Sequence, residues 1–510
     1  MRYIVQTSKN SSIMISALEN VGAKVIQKVN FESIRIAGFE VELPDGFDVE
    51  RIKAAVGDVI GVFPVQKFHA LYLPKTVSPA VNVTLDDIMA DLGFPAIWKD
   101  AGFDGGAGSG QVVKIAVVDT GVDPLHNGEG PFLDADGKTS RIKAKADFMG
   151  GPPYHPHGTW VAEIIARRAM PDGSYRAGCY RAWLYAAQVL DPLGYGDTLS
   201  VIAGINWAVE QGVHLINMSL GGPHDDMINT AVQAAWDKGV MVVCASGNSG
   251  RFPPPCDGSI NSPADAENAI AVGAVSIGKQ NEDGKTYVQS WCSRGPRWNG
   301  TPAPWFLVAP GLNIIPGYGD PQNSGTSFAS PCVSSALGAM IHKKLRYNSD
   351  LGPGGLRELL ANTCRLLGYK DGYGQEQGYC IEGHGYVRAD VAYAAVPGGG
   401  GGGPGRKGAP SQSEVGHVLV RPTPTGTEPT LLVVYADKGE VFSGDSVKVT
   451  ARLRFDSDGA PLIARIVQLN FGVATMLVTT DANGEAAFTF TAPGVAEDTQ
   501  VPFSALFAGD

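Results

Sequence analysis

Four side chains in this chain could together make a hydroxyl attack a carbonyl carbon. Asp119 stands in Val117-Val118-Asp119-Thr120-Gly121, and His157 opens His157-Gly158-Thr159. Ser327 lies in Ser324-Gly325-Thr326-Ser327-Phe328-Ala329-Ser330-Pro331. A serine hydroxyl is a poor nucleophile until a base takes its proton. An imidazole, with a reference pKa of about 6.5, can take that proton and return it. A carboxylate on the far ring nitrogen fixes the tautomer and stabilises the imidazolium. Asn248, in Ala245-Ser246-Gly247-Asn248-Ser249, adds an amide that could donate to an oxyanion. Losing one such donor typically costs about 2.7–4 kcal/mol of transition-state stabilisation. The chemistry implied is acyl transfer through a covalent intermediate.

Each of these residues has a local context that would hold it in place. Val112 to Val118 is nearly continuous apolar sequence, the pattern of a parallel strand buried on both faces. Asp119 falls at its carboxyl end, where open α/β sheets place functional groups. Gly121 permits a sharp turn just beyond. Trp160, Val161, Ile164 and Ile165 fit a helical stripe, so His157 is expected near a helix start. A small-residue helix is expected through Leu337 and Met340. Pro331 is tolerable only in its first turn, which puts Ser327 at the N-terminus, where free N–H groups and the dipole favour an anion. Asn248 follows a second buried run, Val240 to Ala245. Taken singly, each of these residues has a plainer reading as a turn, cap or surface residue. Together and in order they point to a site. His126, His155 and His214 are read as structural or surface residues, and Asp123 lies beyond the turn after Asp119.

The order and contexts resemble the subtilases, a family of serine endopeptidases. The likeness covers roughly residues 85–395. It extends to Leu184–Asp191, Ile216–Gly222, Ile270–Val275 and Ser293-Arg294-Gly295-Pro296. It implies Asp119 as the orienting acid, His157 as general base and acid, Ser327 as nucleophile and Asn248 in the oxyanion hole. Ser219, Leu220 and Gly221 would hydrogen-bond an extended peptide by strand addition. Ala245, Ser246, Gly247 and Asn261 would line the pocket for the residue before the scissile bond. No buried acid demands a basic side chain there, so broad specificity is expected. Two departures, Trp160 and Cys332, should face the core. His155-Pro156 directly before His157 is unusual for the family.

The chain has 510 residues, enough for about three domains. Residues 1–75 read as strand, helix, strand, strand, helix, strand, a ferredoxin-like α+β order. This segment resembles the family's inhibitory prosegment, whose carboxyl end lies in the active site, with cleavage expected within residues 70–85. Residues 76–396 would be the catalytic domain, an α/β parallel sheet flanked by helices, and residues 397–427 a Gly/Pro-rich linker. Residues 428–510 carry period-2 alternation, such as Val447 to Phe455, and a turn signal at Asp481-Ala482-Asn483-Gly484. They suggest an Ig-like β-sandwich, resembling modules of secreted and surface proteins, whose ligand would be a surface or polymer.

The net charge is −11 with no basic stripe, which argues against nucleic acid as a partner. No apolar run reaches the length needed to span a bilayer. No signal peptide opens the sequence. A secreted or cell-surface location is expected on the tail's resemblance, with an intracellular one as the alternative. The seven cysteines allow bridges such as Cys364–Cys380 and Cys256–Cys292. No cofactor is needed for the chemistry. The family often binds structural calcium, and Asp134-Ala135-Asp136-Gly137 has calcium-like spacing, but too little of it to assign a metal site. The expected partners are protein or peptide substrates and the chain's own prosegment. Two other functions compete: a catalytically silent surface scaffold, and a processing protease with one dedicated partner.

Overall fold

Lys114–Asp119 forms a strand whose apolar residues are buried on both faces, and the rest of the fold is built around it. The computed structural model describes residues 1–8, 12–73, 81–107, 111–151, 155–250, 258–297, 303, 305–368 and 378–397. In the C-terminal region it describes six strands and residue 481. The chain divides into two units, residues 1–399 and 400–510.

The first unit begins with β1 (Arg2–Thr7), α1 (Ser12–Asn20), β2 (Lys24–Phe31), β3 (Ile36–Glu42), α2 (Glu50–Ala55) and β4 (Val59–Pro64). The four strands form an antiparallel sheet in the order β2-β3-β1-β4. Period-2 alternation splits its side chains between two cores. Val5, Phe39 and Val41 pack with Leu18 and Ile52 of the two helices. Ile4, Ile36 and Val29 pack into the main core of the unit. A short strand, β5 (Lys67–Ala70), follows. Next come β6 (Val83–Thr84), α3 (Leu85–Asp91) and α4 (Phe94–Ile97).

The central sheet is assembled from β7 (Lys114–Asp119), β8 (Ile142–Asp147), β9 (Trp183–Gln188), β11 (Leu215–Met218), β13 (Met241–Ala245), β14 (Ala269–Ser276), β15 (Tyr287–Val288) and β16 (Phe306–Pro310). These eight strands run in the order β8-β9-β7-β11-β13-β14, with β15 and β16 both on β14. All pairs are parallel except β14–β15. Parallel strands need crossovers, and helices supply them: α5 (His157–Ala166), α6 (Thr198–Glu210), α7 (Asp226–Asp237) and the 22-residue α8 (Thr326–Tyr347). Two short edge strands, β10 (Tyr195–Asp197) and β12 (Leu220–Gly221), lie outside this sheet and both pair with β5. β17 (Ile314–Ile315) pairs with β6, and α9 (Pro353–Asn362), α10 (Gly378–Glu382) and α11 (Ala389–Ala395) complete the unit.

Two sequence expectations need correction, the place of Pro331 and the cysteine bridges. Pro331 lies inside α8, past its first turn, because the helix already begins at Thr326. Its missing N–H orphans the Ser327 carbonyl four residues back. The Ser219 hydroxyl donates to that carbonyl at 2.9 Å, so the helix tolerates the proline. Neither Cys364 nor Cys292 forms the bridge suggested for it. Both keep thiols, Cys364 Sγ donating to Leu360 O, while Cys380 is disulfide-bonded. Cys256 lies outside the described residues. Asp136 is turned into its own loop, accepting from Lys138 N and Thr139 N at 2.8 Å each, and Asp134 accepts from Ala135 N.

The second unit contains β18 (Thr430–Ala436), β19 (Ser446–Phe455), β20 (Ile466–Phe471), β21 (Ala474–Thr479), β22 (Glu485–Thr491) and β23 (Phe503–Leu506). They form two antiparallel three-stranded sheets, β18-β19-β22 and β21-β20-β23. The linker at 398–427 and the turn at 482–484 lie outside the described residues. Among the described residues no helix is long and apolar enough to cross a membrane.

Candidate active site

Asp119 ends β7, His157 starts α5 and Ser327 is the second residue of α8. His157 Nδ1 lies 2.8 Å from Asp119 Oδ1, which also accepts from Thr120 N at 2.7 Å. A carboxylate partner holds the ring proton on Nδ1, so Nε2 presents its lone pair. Thr120 Oγ1 joins the two segments, donating to His155 O at 2.7 Å and accepting from Gly158 N at 2.9 Å. Gly158 cannot carry a side chain: a Cβ there would stand 2.3 Å from Gly121 O and 3.2 Å from Asp119 Oδ1. The approach of helix to strand that brings His157 to Asp119 depends on this glycine. Ser327 Oγ and His157 Nε2 are both buried with no hydrogen-bond partner among the described residues. Catalytic hydrogen bonds commonly tighten only in the reacting complex.

Asn248 follows β13 across two residues. Its Oδ1 accepts from Thr326 N and Thr326 Oγ1, both at 3.0 Å. The carbonyl end is thereby committed, leaving the NH2 end to donate. Trp160 and Cys332, the two departures, are buried.

Residues 110–385 match the Peptidase_S8 model, the subtilase family. The chain belongs to the subtilase family. It is 35% identical over 270 residues to Subtilisin Savinase of Lederbergia lenta, covering 52% of this chain and 88% of that protein. It is 32% identical over 288 residues to Serine protease AprX of Bacillus subtilis (strain 168), covering 50% of this chain and 61% of AprX. It is 35% identical over 270 residues to an Alkaline protease of Shouchella clausii, covering 52% of this chain and 62% of that one.

In this subtilase the cleft is filled by the chain's own residues 67–73. β5 lies antiparallel between β10 and β12, with His69 opposite Tyr195 and Ala70 opposite Leu220. Leu71 N donates to Ser219 O at 3.2 Å, and Leu73 N donates to Ser324 O at 2.7 Å. Between them, Leu71 O accepts from Ser327 N at 3.3 Å, at the amino end of α8. The Leu71 side chain packs on Gly221, where a Cβ would come within 2.7 Å of Leu71 Cδ1 and 3.0 Å of Asn261 Cβ. Asn261 N donates to Ser246 O at 2.9 Å, and Asn261 Nδ2 donates to Gly222 O at 3.2 Å. Ser219, Leu220, Gly221 and Asn261 thus meet at this strap. Ala245, Ser246 and Gly247 are buried beside them. Under the strap Asp119, His157 and Ser327 are each 0% exposed.

Sequence reasoning did not find β5 as a strand in its own right, nor β10 opposite it. Lys67–Ala70 is four residues of mixed polarity, too short for a periodic signal. Nor did it find a role for His155. The His155 Nδ1 accepts from His157 N at 3.2 Å, which puts the ring proton on Nε2, 3.2 Å from the Tyr72 hydroxyl. Burial, and then the charge of His157, hold His155 below the usual histidine range.

Proposed function

We propose that this subtilase is a serine endopeptidase made as a self-processing zymogen, in which residues 1–71 act as prosegment and the Leu71–Tyr72 bond is the first substrate. The observation that carries this reading is the Leu71 carbonyl, held by Ser327 N while the residues before it pair with both edges of the cleft. Ser327 Oγ attacks the Leu71 carbonyl carbon as His157 Nε2 takes the hydroxyl proton. Asp119 holds the imidazolium. The negative charge forming on Leu71 O is met by Ser327 N–H, the α8 dipole and the Asn248 NH2. His157 then protonates the Tyr72 nitrogen, the C–N bond breaks, and water hydrolyses the Leu71 ester by the reverse proton path.

Other protein chains would bind as this strap does, by strand addition with main-chain hydrogen bonds. Leu71 resting on Gly221 supports a preference for an apolar side chain before the cleaved bond. The four-stranded sheet docks by Ser33 N donating to Asn206 Oδ1 at 3.0 Å, Gln66 N to Thr198 Oγ1 at 2.8 Å and Arg2 Nη1 to Asp197 at 3.0 Å. These bonds do not depend on the Leu71–Tyr72 bond, so the cleaved piece would stay on as an inhibitor. An extracellular site of action belongs to the same reading, supported by the strand-rich tail.

The test is intact mass and N-terminal sequencing of wild type and Ser327→Ala over time. The expected result is a wild-type chain that begins at Tyr72 and a mutant that stays whole. Wild type that stays whole and hydrolyses no unfolded protein overturns the proposal.

A further inference from the structure

Three side chains outside the triad converge on a second buried spot. His126, Glu163 and Asp320 each bring a ligand atom within 4.8 Å of the others. His126 Nε2 is 2.6 Å from Asp320 Oδ1. Glu163 is fully buried, and the Asp320 side chain is 2% exposed. One oxygen of each carboxylate, Glu163 Oε2 and Asp320 Oδ2, is buried and has no hydrogen-bond partner among the described residues. Gly317 makes the room for both: a Cβ there would stand 2.1 Å from Glu163 Oε2 and 2.8 Å from Asp320 Oδ2. The two orphaned oxygens therefore face the same small space.

Charge sharpens the point. Arg167 is the cation bonded to this cluster, donating to Glu163 Oε1 at 2.7 Å and also to Glu129. That guanidinium is divided between Glu163 and Glu129, and it makes no bond to Asp320. Buried charge of this kind is retained only when a cation or a proton offsets it. Burial, and then Asp320 beside it, hold Glu163 well above the usual carboxylate range, so a proton is the competitor for the space.

We propose that His126, Glu163 and Asp320 form a site for one divalent transition-metal cation of the zinc class. One imidazole nitrogen with two carboxylates suits such an ion, whereas calcium and magnesium take oxygen ligands. Outer groups already orient the ligands: Asn127 Nδ2 donates to Asp320 Oδ1 at 3.1 Å, and Arg167 holds the far oxygen of Glu163. The placement gives the ion a purpose. His126 lies in the loop after Asp119, Glu163 on the helix begun by His157, and Asp320 in the segment leading to Ser327. A cation here ties together the three stretches of chain that carry the triad, without touching the reacting atoms.

The test uses the full-length chain carrying Ser327→Ala, so that it stays in one piece. It is stripped with a chelator and titrated with Zn2+ alone, followed by calorimetry and metal content. One Zn2+ per chain is expected, with the melting midpoint raised by the metal and lowered again by chelator. Glu163→Gln, Asp320→Asn and His126→Gln should each weaken binding by at least about tenfold. No Zn2+ bound by the parent, or equal binding by all three variants, overturns the site and leaves a proton shared between the two carboxyls. Should the variants fail to fold, Co2+ added to the parent decides. Visible bands of a nitrogen- and oxygen-ligated ion support the site, and their absence overturns it.

Discussion

Two histidine–aspartate pairs of this subtilase, among those in the described residues, differ in what stands at the far end. Asp119 and His157 are 2.8 Å apart, and Asp320 and His126 are 2.6 Å apart. The Asp119–His157 pair lies beside the amino end of α8, where His157 packs on Phe328 and Ser327 N holds the Leu71 carbonyl. The Asp320–His126 pair faces another carboxylate, Glu163. A base beside a nucleophile and substrate can do proton transfer. A base beside an additional acid can only share a proton or take up a cation. The pair alone therefore says little about role; the third partner decides it.

Breaking the Asp119–His157–Ser327 arrangement should have the largest effects. Ser327→Ala is expected to lower turnover by roughly 10⁶-fold, the scale known for subtilisin itself when its nucleophile is removed. Peptide hydrolysis by processed enzyme checks this, with the prosegment supplied separately if processing fails. Asp119→Asn keeps the shape but offers His157 an amide, and about 10⁴-fold is expected from the wrong tautomer. A loss of tenfold or less would mean that Asp119 does not orient the ring. Asn248→Ala should cost about 10²–10³-fold in kcat with KM little changed, because its donor matters where charge develops.

Smaller effects sharpen the contrast through the other histidines. His155→Ala and Tyr72→Phe each remove the same hydrogen bond, worth about 0.5–1.5 kcal/mol. Each should slow cleavage at Leu71–Tyr72 by a few-fold; His155→Ala also removes the acceptor of His157 N, so the double variant should be no slower than His155→Ala alone. His214 sits by β7, accepting from Lys114 N at 3.0 Å, and burial pulls its pKa down to about 4 from the usual 6.5. Between pH 6.5 and 4 the unfolded chain binds a proton there that the folded chain does not, so stability falls as pH drops through that window. Melting curves of His214→Gln should show a shallower decline over that range.

The candidate catalytic residues were legible because each closes or opens a strongly periodic element. The buried run before Asp119, the helical stripe after His157 and the small-residue helix after Ser327 are long patterns with one face or two to bury. What escaped notice depends on partners distant in the chain. Pro331 resembled a first-turn residue, because no local pattern says that the Ser219 hydroxyl waits for the carbonyl it orphans. Residues 67–70 become a strand only because two edges accept them. Glu163 falls on a helix whose ten residues are all buried, so no polar face marked it as unusual. Its meeting with Asp320 and His126 is a product of the fold.

The path of the chain on the far side of Leu71 bears on the kinetics of the proposed cut. Leu73 is bonded to Ser324, and the chain from Leu73 soon reaches β6, which is anchored on β17. Were the Leu71–Tyr72 bond cut as proposed, the departing amine would therefore be leashed and held close to the ester it has just left. At that effective concentration resealing would compete with water. The cut would become permanent only when Leu73 lets go of Ser324 and swings away, so the release of a new chain end, rather than bond breaking, would set the pace of such a maturation.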